Sequence, residues 1–145
     1  MASTIDRLID VWRAVPTGDD RDQAAFAAVY TDPVVLNGEP VAVSDLVGRY
    51  RTLHASFADL AIDLVAEMPA ADDVGAAVVL RQRGRHVGPL TSPLGTVEPS
   101  DRTFDVLGID VLALDGDGRV ASIWVVADEL GRLAQLGAFD PPVDA

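Results

Sequence analysis

Ile123-Trp124-Val125-Val126-Ala127-Asp128-Glu129-Leu130-Gly131-Arg132-Leu133-Ala134-Gln135-Leu136-Gly137 is the stretch on which the fold turns. Val120 to Val126 is apolar and rich in β-branched residues, the composition of a strand. Asp128 stands where that strand gives way to a helix, placed to accept a first-turn N–H as an N-cap. Leu130, Leu133 and Leu136 follow at helical spacing, and Gly137 supplies a left-handed stop. A carboxylate at such a junction is either a cap or part of a pocket rim, and the cap is the simpler reading of Asp128.

Upstream, Asp115-Gly116-Asp117-Gly118 is a turn joining Arg119–Ala127 to a strand over Thr103–Leu114. Two more strands precede these: one alternating through Leu60, Ile62 and Leu64, and one over Val74–Arg83, with a turn over Pro69–Asp73 between them. Pro89 to Pro99 is a Pro/Gly-rich crossing, expected to be irregular. The N-terminal third is helical. Ser3–Ala14 carries Ile5, Leu8, Ile9 and Trp12 on one face, with Ser3 and Asp6 spaced as a capping box. A short second helix shows Phe26, Val29 and Tyr30 and ends before Asp32-Pro33. Val34–Leu36 is a short strand, Asn37-Gly38 a tight hairpin turn, and Val41 lies on the return. Ser44 is placed to cap a third helix bearing Leu46, Val47, Tyr50, Leu53 and Phe57, with His54 at its rim or surface. Helices followed by an antiparallel meander give an α+β class. One domain over residues 1–145 is expected: a curved sheet wrapped around three helices, a cone open at one end.

The chain is of ordinary domain length, 145 residues, enough to bury roughly 70% of its unfolded surface without metal or disulfide. Its apolar runs are too short to span a bilayer, and the N-terminus lacks a basic stretch leading into an apolar one. The expectation is a soluble cytoplasmic protein. A net charge of −12 repels nucleic acid and anionic membrane alike. Cysteine is absent, and all 11 basic residues are arginine, which excludes thiol chemistry, Schiff bases and a phosphate-loop lysine. Two histidines cannot build a multi-histidine zinc site. Catalysis must then rest on carboxylates, His, Tyr, Ser/Thr and Arg.

Individual motifs narrow this further. Reading Asp115-Gly116-Asp117-Gly118 as a calcium loop puts Ala113 and Trp124 at ligand positions, so it is a turn. Arg81, Arg83 and Arg85 share one strand face and are expected to pair with carboxylates at solvent or at a subunit interface. Val78, Leu80, Gln82 and His86 then point the other way. His86, between Gly84 and Gly88, is either a general acid/base or ligand-binding group, or a loop-bonding histidine. Asp110 interrupts the apolar run Val106-Leu107-Gly108-Ile109-Asp110-Val111-Leu112. It either faces solvent or lines a cavity with a raised pKa, as a general base would.

Gly84-Arg85-His86-Val87-Gly88, Gly118-Arg119-Val120, Trp124 with Asp128, Gln135-Leu136-Gly137 and the junction Phe57-Ala58-Asp59-Leu60 together resemble the SnoaL-like polyketide cyclases, within the NTF2-like cone fold. The resemblance implies ring closure by intramolecular aldol condensation without metal or cofactor, on an apolar oxygenated substrate held in the cone. It also implies a carboxylate shuttling the proton. The family's acid/base aspartate aligns with Val125, which moves no proton, and its helper histidine aligns with Asp110. Strand parity turns Asp110 and Val125 to the same interior. The readings are therefore an enzyme using Asp110 with His86 (cyclase, or isomerase or epoxide hydrolase), a non-catalytic carrier of apolar ligands, or a dimerisation module. The substrate-contacting set expected is Asn37, Tyr50, Gln82, Trp124, Val125 and Asp128, with no metal. A homodimer is expected to cover the outer apolar face of the sheet.

Overall fold

In the computed structural model, which describes residues 2–72 and 74–140, α1 (Thr4–Arg13) opens with the expected capping box. Asp6 N–H donates to Ser3 Oγ and Ser3 N–H donates to the Asp6 carboxylate, both at 3.1 Å. In α2 (Asp20–Ala27) the side chain of Asp22 is buried. Burial pushes its carboxyl up, but hydrogen bonds from Thr17, Gly18 and Arg51 outweigh that and hold it well below the usual range. Asp22 thus ties the loop before α2 to the third helix.

The hairpin of β1 (Tyr30–Leu36) and β2 (Glu39–Val41) turns at Asn37 and Gly38. Both residues adopt positive φ, 51° and 86°, as a tight hairpin demands. Tyr30 thus opens a strand; it does not sit on α2. The next helix, α3 (Val43–Ser56), is not capped by Ser44. Ala42 occupies the cap position, and the Val43 N–H donates at 3.1 Å to the carboxylate of Asp32, eleven residues away.

The long strands are β3 (Phe57–Pro69), β4 (Gly75–His86), β7 (Thr103–Leu114) and β8 (Val120–Ala127). Between them, the stretch expected to be irregular forms a small hairpin of its own, β5 (Leu90–Ser92) with β6 (Gly95–Val97). The main sheet runs β2-β1-β8-β7-β4-β3. It is antiparallel except where β1 lies parallel to β8, a departure from the antiparallel sheet expected. Register shifts in the β3–β4 and β7–β8 pairs bend it, since an extra residue on one strand raises local twist and curvature. Residue 73 of the expected Pro69–Asp73 turn lies outside the described residues, as do residues 1 and 141–145.

The concave face holds α1 and α3 over a core that includes Leu8, Ile9, Phe26, Tyr30, Leu46, Val78 and Ile123. Each fully buried side chain of this size contributes roughly 1.5–3 kcal/mol. A second cluster, Phe57, Phe104, Val106 and Leu136, closes the other end. There α4 (Glu129–Gln135) is capped by Asp128, which accepts from Gly131 N–H at 2.8 Å. Gln135 clamps α4 to β7 by accepting from Asp105 N–H and donating to Asp105 C=O. On the convex face, Arg81 pairs with Asp105, Arg83 with Asp63, and Arg85 with Asp101 and Asp59, as their shared face predicts. Among the described residues, no helix is long and apolar enough to cross a membrane.

Candidate active site

Between α1, α3 and the concave sheet lies a cavity of about 330 Å³. Its walls are Leu8, Ile9 and Trp12 from α1, Leu46, Arg49 and Leu53 from α3, and inward residues of β1, β3, β4, β7 and β8. The alternation of a strand decides which side chains reach it. On β7, Val106 and Asp110 point in while Ile109 and Val111 are exposed on the convex side. On β8, Ile123, Val125 and Ala127 line the cavity.

Asp110 is the carboxylate of this interior, 8% exposed. Burial pushes its pKa up to about 6, because the charged form loses hydration that nothing replaces. Among the described residues, no hydrogen bond or ion pair reaches it. Its strand neighbours at the same level are Val78 on β4 and Val125 on β8. Directly opposed residues of an antiparallel pair stand about 5 Å apart. A carboxylate at 110 therefore reaches the same space that one at 125 would.

Further polar groups line the cavity. Trp12 Nε1–H donates to Tyr30 Oη at 2.7 Å at the cavity wall. Burial, and to a smaller degree the Asp110 charge, raise the Tyr30 phenol against the lowering effect of the Trp12 bond, so it remains a neutral O–H donor. Arg49 is exposed at the mouth and makes neither ion pair nor hydrogen bond among the described residues, although Asp45 stands one turn before it on α3. Asn37 and Gln82 also line the cavity. Asn37 Oδ1 accepts from Val125 N–H at 2.8 Å, and Gln82 Oε1 accepts from Arg132 Nη1 at 2.9 Å.

The other expected site residues are elsewhere. His86 is fully buried but does not line the cavity. Its Nδ1 accepts from Ser100 N–H at 3.2 Å and its ring packs on Phe57, while among the described residues Nε2 has no partner. Its backbone is tied to the Ser100–Arg102 segment, with His86 N–H donating to Arg102 C=O and Asp101 N–H to His86 C=O. The next residue is tied to the end of α3, with Val87 N–H donating to Ser56 C=O. The flanking glycines serve the same packing: a Cβ at Gly88 would stand 2.3 Å from Ala55 C=O. His86 is thus a loop-bonding histidine by position. Tyr50 is buried behind the cavity, donating its hydroxyl to Ala14 C=O and packing on Phe26. His54, whose Nε2 lies 2.8 Å from Trp12 C=O, also lies outside the lining. Trp124 is 54% exposed on the convex face, the side opposite to Val125, and Asp128 is consumed by its cap. Among the described residues, no group of three or more acidic or histidine side chains is placed to hold a metal ion.

Sequence reading missed Tyr30, Trp12 and Arg49 as members of the site. The signal available for Tyr30 was its place next to a strand, hidden because the helical spacing from Phe26 also fits it.

Against known proteins, the family model of the SnoaL-like polyketide cyclases matches residues 3–136. No curated protein matches the chain. Among solved structures, TsrD from Streptomyces laurentii superposes with a TM-score of 0.76 at 20% identity, covering 94% of this chain and 93% of that one. Wild-type IdmH from Streptomyces antibioticus gives 0.72 at 19%, covering 92% and 96%. An NTF2-like protein from Exiguobacterium sp. 255-15 gives 0.63 at 18%, covering 88% and 99%. Likeness at these identities is likeness of fold: an NTF2-like cone.

Proposed function

The chain belongs to the SnoaL-like polyketide cyclase family, and from that premise we propose that it is a cofactor-free enzyme acting on an apolar, oxygenated small molecule, with Asp110 as general base. The observation that carries this is a carboxylate pushed up to about 6 by burial, with no partner among the described residues, facing an apolar cavity. A base is most effective when its pKa lies near the working pH. The carbon between two carbonyls is acidic enough for one positioned carboxylate to deprotonate it. Asp110 takes that proton, the enolate oxygen accepts the O–H of Tyr30, and the enolate carbon bonds to a second carbonyl carbon. The proton then passes from Asp110 to the new alkoxide. Trp12 N–H on the Tyr30 oxygen polarises the phenol and strengthens its donation. Isomerisation uses the same proton transfer without the new bond.

Binding and turnover of an aromatic β-keto ester, followed in one sample, test the reading. Turnover that needs Asp110 supports it. Tyr30→Phe is expected to lower turnover by roughly 10²-fold, the usual cost of losing one oxyanion donor, with binding little changed. Equal turnover in Tyr30→Phe and the wild type would remove the phenol from the mechanism. A carrier is the second reading, favoured by Val125, which replaces a carboxylate with an apolar wall. Binding without turnover would select it.

The reading places a single domain in the cytoplasm as a homodimer. Ile109 pairs with Val126 and Val111 with Trp124 across β7 and β8, and all four are exposed on the convex face. A contiguous apolar patch of this kind marks an interface. Val126→Asp is expected to convert a dimer to a monomer in light scattering, with the fold retained. A wild-type monomer at micromolar concentration would rule the dimer out.

A further inference from the structure

We propose that Gln82 is a fixed hydrogen-bond donor of the cavity, held with its amide N–H₂ inward by Arg132, and that the ligand presents a carbonyl-type oxygen to it. The inference rests on the reading of this cavity as the ligand site and adds what the ligand must carry.

A guanidinium has donors only, so the face of the Gln82 amide that meets Arg132 has to be its oxygen. That contact is 2.9 Å. Turning the amide over would set N–H against N–H. Arg132 itself has little freedom. It is 12% exposed, pairs through Nη2 with Glu129 on the same helix, and lies 5.6 Å and 5.4 Å from the ring centroids of Phe57 and Phe104. With its oxygen taken, Gln82 has its nitrogen left over. Among the described residues, that nitrogen has no hydrogen-bond partner, and the residue lines the cavity. Gln82 is only partly buried and its nitrogen is not sealed in protein, so that donor stays open to a group entering the cavity.

Position adds a length. Gln82 lies four residues along β4 from Val78, the strand partner of Asp110. At about 3.3 Å per residue, the backbone positions that carry the donor and the base lie about 13 Å apart along the strand direction. A ligand engaging both is elongated, of two or more fused rings' length, with the acidic C–H at one end and an acceptor oxygen at the other. A site built around a hydrogen bond rejects an analogue that lacks the group far better than an apolar wall does. Arg132 acts here as a positioning residue.

The test compares 2-acetylnaphthalene with 2-ethylnaphthalene, which share a shape and differ in the carbonyl oxygen. Affinities for wild type, Gln82→Leu, Gln82→Glu and Arg132→Met are measured by ligand fluorescence. Gln82→Glu keeps the shape and gains an ion pair to Arg132 while losing the donor, so it remains folded. The ketone-to-alkyl affinity ratio is expected to fall about tenfold in both Gln82 variants, through the ketone alone, the loss that follows one buried donor. Arg132→Met is expected to lower the ratio in the same direction with 2-ethylnaphthalene affinity kept; a purely structural arginine would weaken both ligands together. An unchanged ratio in Gln82→Leu and Gln82→Glu overturns the proposal. Binding of neither probe to the wild type overturns it together with the cavity reading. Ketone discrimination in a protein that turns nothing over through Asp110 would leave this inference standing and sink the enzymatic one.

Discussion

Asp110→Asn is expected to lower turnover of a cavity-bound β-keto ester by about 10²- to 10⁴-fold, the usual contribution of a positioned general base, with binding kept. Asparagine has the size of aspartate and offers an oxygen to the same space, so the shape of the cavity is conserved while the basic pair is lost. The pH profile of the wild type carries the same signature. Activity requires the ionised carboxylate, and burial pushes that group up to about 6. The rate is therefore expected to rise through pH 6 and level off above it. A carboxylate at its ordinary value of 3.8 would already have reached its plateau by pH 5. A flat profile between pH 5 and 8 with the full rate retained in Asp110→Asn would remove this residue from the chemistry.

The same substitution is expected to stabilise the fold at high pH. The folded-state value of Asp110, about 6, lies above its ordinary 3.8. Below the ordinary value the group is protonated in both states and costs nothing. As pH rises through 6, the folded protein has to carry a buried charge that the unfolded chain hydrates freely, and stability falls. Two pH units at about 1.4 kcal/mol each make this about 3 kcal/mol at pH 8. Urea unfolding is expected to show Asp110→Asn more stable than wild type by that order at pH 8 and nearly equal at pH 4. An equal gap at both pH values would mean that burial of the charge is not the cause. Stability given up at one position for chemistry is the common pattern of active sites.

The period-two pattern of β4, β7 and β8 was legible because a sheet with one buried face allows only one register. Parity put the three strand arginines on one face with carboxylates and, together with the family resemblance, turned Asp110 and Val125 to the same interior. In the structure the arginines pair with carboxylates on the convex face, and Asp110 and Val125 line the cavity. Parity also excluded Trp124 from a wall containing Val125; its aromatic bulk suggested a ligand contact that alternation forbids. With His86 the direction was correct and the level was not. It is buried beyond the cavity lining, bonded to Ser100 and packed on Phe57, and no local spacing records what packs at that height. Tyr30 was hidden for a different reason. Its role depends on β1 lying parallel to β8, a pairing between segments some ninety residues apart. The cap of α3 failed likewise: Asp32 reaches Val43 across a hairpin, while Ser44 only looked suitable in sequence. Local rules find elements and faces, whereas long-range partners decide the contents of the site.

Cyclase, isomerase and carrier diverge at one event, removal of a proton from a carbon next to a carbonyl. The most direct measurement is therefore deuterium uptake at the carbon between the two carbonyls of an aromatic β-keto ester, followed by NMR in D₂O with wild type and Asp110→Asn, with affinity measured alongside. Wild type is expected to exchange that position well above the protein-free rate. Asp110→Asn is expected to bind the ester equally and to fall back to the protein-free rate. Equal exchange by the two proteins, or tight binding by both with no acceleration by either, would contradict Asp110 as the proton shuttle.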